Sequence, residues 1–138
     1  MPIQIVSRFP VDDTELTALH GRAFGEAAGP AAPWAQRLDR YALTWVGAFD
    51  AGRLVGFVQV CWDGGAHAFL LDTAVDPAWQ HRGIGADLVR TAVADAAAAG
   101  CEWLHVDFEP HLSEFYLRRC GFHPTAAGLL RLTAPFLG

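Results

Sequence analysis

Apolar and polar positions change period several times along this chain, and each change marks an element. Ile3-Gln4-Ile5-Val6-Ser7 alternates and predicts a short first strand. Asp12-Asp13-Thr14-Glu15 has the spacing of a capping box, Asp12 as N-cap and Glu15 three residues on. Leu16, Leu19, His20, Ala23 and Phe24 then share one face of a first helix. Residues 25–33, rich in Gly, Ala and Pro, form a connection, and Pro33 starts a second helix carrying Trp34, Leu38 and Tyr41.

The period then shortens. Residues 43–49 and 54–62 flank a hairpin turn at Asp50-Ala51-Gly52-Arg53, and Asp63-Gly64-Gly65 leads to a largely apolar strand over residues 68–75. Together they predict an antiparallel meander. Leu88, Val89, Ala92, Val93 and Ala96 recur with helical spacing over residues 84–99 until Gly100 stops them. A strand over residues 102–108 follows, and a helical crossover between two strands of one sheet implies that they run parallel. Residues 111–120 predict a short helix closed by Gly121, and residues 122–132 one or two final strands. The fold class is α/β: a mixed central sheet with flanking helices, in a single domain over residues 1–138.

Composition narrows the partners. A chain of 138 residues with 52% hydrophobic and 18% charged content suits one folded domain that needs no metal or disulfide staple. The formal charge of −5 and the lack of a basic run argue against nucleic acid. No apolar stretch is long enough to span a bilayer, and Pro2, Arg8 and Asp12-Asp13 interrupt any secretory pattern, so no membrane partner and a cytoplasmic location are expected. Cys61, Cys101 and Cys120 are odd in number and set in apolar sequence, as buried reduced thiols would be.

The chemistry centres on residues 75–88, where the strand ends at Asp76-Pro77 and a glycine-bearing loop opens the long helix. The first turn of a helix has N–H groups without internal partners and the positive end of the helix dipole, so it attracts an anion. Gly83 and Gly85 let a phosphate approach the backbone, and Gln80, His81 and Arg82 offer donors beside it. For Arg82 a solvated surface arginine is the stronger alternative. The chain has no lysine, which excludes a Walker A loop, and Leu88 stands where a dinucleotide fingerprint needs its third small residue.

What remains, Gln80-x-x-Gly83-x-Gly85 after Val75-x-Pro77, resembles the acetyl-CoA pyrophosphate loop of the GNAT superfamily of N-acetyltransferases. Phe115-Tyr116-Leu117-Arg118-Arg119-Cys120-Gly121-Phe122 is similar to the F-Y-x-x-x-G-F signature of that family's last helix. The resemblance implies acetyl-CoA as co-substrate, with no metal, and its phosphates along residues 80–86, Ile84 and Ala86 included. It implies that the strands ending at Val75 and Phe108 splay, with pantetheine between them bonded to the main chain near Ala74 and Val75. It implies direct acetyl transfer to a primary amine, with a small molecule as acceptor. Peptide or protein N-termini are the nearest alternative acceptors, and a non-catalytic acyl-CoA-binding module the alternative class. Many relatives pair through strand edges or the last strands, so a homodimer is a candidate assembly.

For catalysis the resemblance places Tyr116 at the position of a general acid for the departing thiolate, against a structural tyrosine as the alternative. Where many relatives carry an asparagine seven residues before that tyrosine, this chain has Glu109. His105, Asp107 and Glu109 alternate onto one strand face, which fits a proton path ending at Glu109 or Asp107, a structural hydrogen-bond network, or, least, a metal site with His111. Asp72 is a further base candidate or acceptor contact, or else a helix cap. Trp34, Trp62 and Phe69 are candidates for the acceptor end, with core packing as the alternative. His20, His67 and His123 are expected to be structural.

Overall fold

The computed structural model describes residues 2–133. Five strands form one sheet in the order β1-β2-β3-β4-β5: β1 (Gln4–Ser7), β2 (Ala42–Asp50), β3 (Arg53–Trp62), β4 (His67–Val75) and β5 (Trp103–His105). The first four pair antiparallel and β5 joins β4 parallel, as the crossover through α3 (Ile84–Ala98) requires. Helix α3 covers one sheet face, while α1 (Asp13–Phe24) and α2 (Trp34–Tyr41) cover part of the other.

Because helices lie on both sides of it, β3 is buried from Leu54 to Val60 without alternation. Val46, Val58, Val60, Leu70, Leu88, Val89 and Ala92 fill the α3 side. Phe9, Leu16, Leu19, Trp34, Leu38 and Phe57 fill the other. A Cβ on Gly56 would lie 3.0 Å from Leu88 Cδ1, so this glycine sets how closely α3 approaches the sheet. Asp95 on α3 accepts from Ser7 Oγ and Thr44 Oγ1, both at 2.7 Å, tying the helix to β1 and β2.

Four local expectations change. Asp12 does cap α1, accepting from Glu15 N at 2.9 Å, but the Glu15 carboxylate turns to Leu54 N at 3.1 Å, so only half of the capping box forms. Strand β5 stops at His105 rather than continuing to Phe108, because its pairing with β4 ends there, at Phe69 with His105. The helix expected over residues 111–120 is a 3₁₀ turn, Pro110–Leu112, followed by one π-helical turn, Glu114–Arg119, closed by Cys120 N donating to Phe115 O at 2.9 Å. Finally, residues 122–133 contain no strand. Pro124 and Gly128 interrupt pairing, and Leu129, Leu130 and Leu132 are exposed rather than laid on a sheet edge. Among the described residues no helix is long and apolar enough to cross a membrane.

Candidate active site

The site begins with a defect in β4. Gln59 faces Leu71 and Phe57 faces Ala74, so three steps of β4 oppose two of β3: a β-bulge. Within it Asp72 has φ +60°, a conformation that non-glycine side chains rarely adopt. Pairing of β4 with β5 ends at Phe69 with His105, two residues before the bulge segment opens at Leu71. From Leu70 to Val75 the edge of β4 that faces β5 therefore has no strand partner, and its backbone groups line an open groove of about 1350 Å³.

One end of this groove is made of backbone. Gly83 caps α3 in the left-handed region (φ +82°), and no side chain caps the helix. The N–H groups of Ile84, Gly85 and Ala86 thus open the helix without side-chain partners beside the groove, an arrangement suited to phosphate oxygens. Nothing lies within 4 Å of a Cβ built on Gly83, consistent with access from solvent. Gly85 lines the groove as well, and its missing Cβ makes room for Phe115, whose Cζ would lie 3.2 Å away. Gly85 is where the loop and the Phe115-Tyr116 motif meet.

Upstream, Asp76 is buried and anchors the loop. It accepts from Ala78 N at 3.0 Å and from Arg22 Nε of α1 at 2.9 Å. Gln80 lines the groove, but its amide donates back to Val75 O at 3.2 Å. His81 lines the groove too. Arg82 does not; its guanidinium donates to Ala78 O at 3.4 Å. Arg119, an unassigned position of the second motif, lines the groove and adds positive charge there.

Tyr116 sits at the middle, 6% exposed, stacked on Phe108 (centroids 5.0 Å apart) and edge-on to Phe115 at 4.8 Å. Burial pushes its phenol above the ordinary value, and the neighbouring Thr73 hydroxyl pulls it partly back. The hydroxyl accordingly keeps its proton throughout the neutral range. Burial also raises the thiols of Cys61 and Cys120, which keeps them protonated and poor nucleophiles.

The other end is made of side chains. Asp72 lines the groove, 27% exposed, with both carboxylate oxygens held: Gln59 Nε2 donates to Oδ2 at 2.6 Å and His20 Nε2 meets Oδ1 at 3.0 Å. It caps no helix. Asp107 and Glu109 also line the groove, yet from the loop beyond β5, where the Glu109 side chain is 81% exposed and its carboxylate lies 3.5 Å from His111 Nδ1. His105 leaves them for His67 (2.7 Å) and the ring of Phe69. Among the described residues no three His, Cys, Asp or Glu groups converge as metal ligands.

Trp34 lies away from the groove, buried against Phe57 and His20. Phe69 and Trp62 border a second, shallower depression of about 530 Å³ that meets the groove at Leu71. His20, Gln59 and Glu26 were not expected at the site, and no local signal marks them, since they lie on three separate segments.

A groove between splayed strands, with an uncapped helix start at one end and a buried phenol at its centre, is the architecture of an acyl-CoA-dependent transferase. The profile of the Acetyltransferase (GNAT) family matches residues 14–122, and the chain belongs to that family. Its fold is that of a Trypanosoma brucei acetyltransferase (TM-score 0.80, 20% identity, 96% of this chain and 99% of that one). It is also similar to a probable acetyltransferase from meticillin-resistant Staphylococcus aureus (0.78, 20%, 96% and 99%). An aminoglycoside N-acetyltransferase solved with CoA shares the fold as well (0.74, 16%, 96% and 95%). No curated protein matches the sequence significantly. The protein is a GNAT acetyltransferase, and its co-substrate is acetyl-CoA.

Proposed function

We propose that this acetyltransferase moves the acetyl group directly onto the primary amine of a small molecule, in a ternary complex without a covalent acyl-enzyme. The observation that carries this reading is the continuity of one groove from the uncapped start of α3, past Tyr116, to Asp72. Ile84, Gly85 and Ala86 would hold the pyrophosphate through their N–H groups, and the unpaired edge of β4 near Ala74 and Val75 would hold the pantetheine arm. His81 and Arg119 add donors and positive charge beside the phosphates.

An amine is an ammonium at neutral pH and attacks a carbonyl only after losing a proton. Of the groove carboxylates, Asp72 is best suited to take it: both of its oxygens are oriented by hydrogen bonds, whereas Glu109 and Asp107 stand on an exposed loop. Glu109 and Asp107 supply negative charge at the mouth, which draws a cationic acceptor inward. Tyr116, kept protonated by burial, gives its proton to the departing sulfur and recovers one from solvent. The depression at Trp62, Phe69 and Leu71 offers apolar surface for the body of the acceptor.

A screen of small amines and peptides for CoA release tests the assignment. Release dependent on a small primary amine supports it. Release with peptides alone would move the acceptor class to N-termini, and no release with any acceptor, alongside intact acetyl-CoA binding, would leave a binding module.

A further inference from the structure

We infer that His20, on α1, is a positioning residue for the reaction: with Glu26 behind it, the imidazole fixes the carboxylate of Asp72 toward the acceptor. The inference rests on the proposed role of Asp72 as proton acceptor.

Its ground is a chain of contacts from solvent to the groove. Glu26 Oε1 lies 2.8 Å from His20 Nδ1, and His20 Nε2 lies 3.0 Å from Asp72 Oδ1. An ionised carboxylate only accepts hydrogen bonds, so the imidazole is the donor in both contacts, Nε2–H toward Asp72 and Nδ1–H toward Glu26. The second oxygen of Asp72 is held by Gln59, which in turn accepts from Cys61 Sγ at 3.1 Å.

The ring itself cannot swing freely. It lies 4.4 Å from the Phe24 ring and 5.3 Å from that of Trp34, centroid to centroid. The charged and titratable groups around it are Glu26 on the loop after α1, Asp72 on β4, Cys61 on β3 beyond Gln59, and Arg37 on α2, stacked over Trp34 at 4.6 Å. Arg22, two residues along α1, is engaged with Asp76.

The sequence builds this device by ending α1 sharply. Gly25 adopts the left-handed conformation (φ +68°) and Glu26 N donates to Gly21 O at 2.9 Å, which folds Glu26 back over the last turn that carries His20. Asp72 reaches the imidazole only because the bulge gives it φ +60°. Two strained or left-handed positions on separate segments converge on the two hydrogen bonds of one imidazole, and that geometry points to orientation of a reacting group.

In the step concerned, the N–H bond of the bound ammonium breaks as an O–H bond forms on Asp72, which later releases the proton to water. His20 touches neither partner, so its effect must pass wholly through Asp72, and a double-mutant cycle reads this. His20→Phe keeps an aromatic ring between Phe24 and Trp34 but removes both hydrogen bonds. It should lower kcat about tenfold with the KM for acetyl-CoA unchanged, whereas His20→Gln, which retains one donor, recovers part of the loss. In an Asp72→Asn background, His20→Phe should cost nothing further. Wild-type kcat in His20→Phe, or a loss that adds in full to that of Asp72→Asn, would overturn the inference while leaving the acetyltransferase reading intact. An unimpaired Asp72→Asn enzyme would instead remove the reading of Asp72 and the inference with it. Should His20→Phe fail to fold, Glu26→Gln on the exposed side chain runs the same cycle, with about a threefold loss expected in the wild-type background and none beside Asp72→Asn.

Discussion

The two ends of the groove are built from different materials. At the start of α3 the groups facing the groove are main-chain N–H donors presented by Gly83, and the loop that presents them is continuous in sequence from Val75 to Ala86. At the bulge of β4 the groups are side chains, Asp72, Gln59, His20 and Glu26, brought from two strands, a helix and a loop. A backbone site tolerates most side-chain changes and binds one recurring ligand part, the phosphate. A side-chain site can be retuned position by position, which suits the end that selects an acceptor.

Substitutions at the two ends should accordingly differ in kind. The largest effect is expected at the side-chain end: Asp72→Asn should lower kcat about a hundredfold while acetyl-CoA affinity by calorimetry stays at wild-type level. A similar loss in Glu109→Gln with Asp72→Asn active would transfer the base to the loop after β5 and dissolve the contrast drawn here.

Tyr116→Phe comes next, with kcat reduced about tenfold or more and cofactor affinity retained. Because burial holds the Tyr116 phenol above its ordinary value, the wild-type rate should show no alkaline loss from this group below about pH 10. The sign follows from the direction of the shift: a raised value keeps the proton on to higher pH. A kcat profile falling near pH 8, absent in Tyr116→Phe, would contradict that state of the phenol.

The smallest of the three catalytic changes belongs to the backbone end, but it carries a cost in stability. In Gly85→Ala the new Cβ would press on Phe115 at 3.2 Å, and overpacking of this kind costs about 1–3 kcal/mol. Acetyl-CoA should bind several-fold more weakly and the melting temperature fall, with kcat at saturating cofactor changed least. If instead kcat falls and affinity holds, the loop and the Tyr116 turn are coupled more tightly than two separate ends allow.

Legibility followed the same division. The helix cap at Asp12, the meander and the loop after Val75 depend on residues within a few positions of each other, and local pattern found them. The extent of β5 and the expected final strands were misjudged because a strand exists only where it pairs with a neighbour, and pairing of β5 with β4 ends at His105. The closeness of Gly85 to Phe115, thirty positions away, is a contact that no local pattern shows. The π-helical turn that carries Tyr116 has no distinct periodicity over six residues and passed for an ordinary helix.

What the order of residues determined unaided is therefore the sheet-and-helix plan, the glycine turn that opens α3 and the tyrosine motif, since hydrogen bonding between near neighbours and the alternation of apolar faces are local properties. What only the tertiary structure decided is the bulge that turns Asp72 into the groove and the imidazole that meets it. His20 and Asp72 stand 52 positions apart and touch at 3.0 Å because packing of α1 on the sheet brings them together. Contact energies of that kind depend on the whole fold closing first, and no short stretch of the chain encodes them alone.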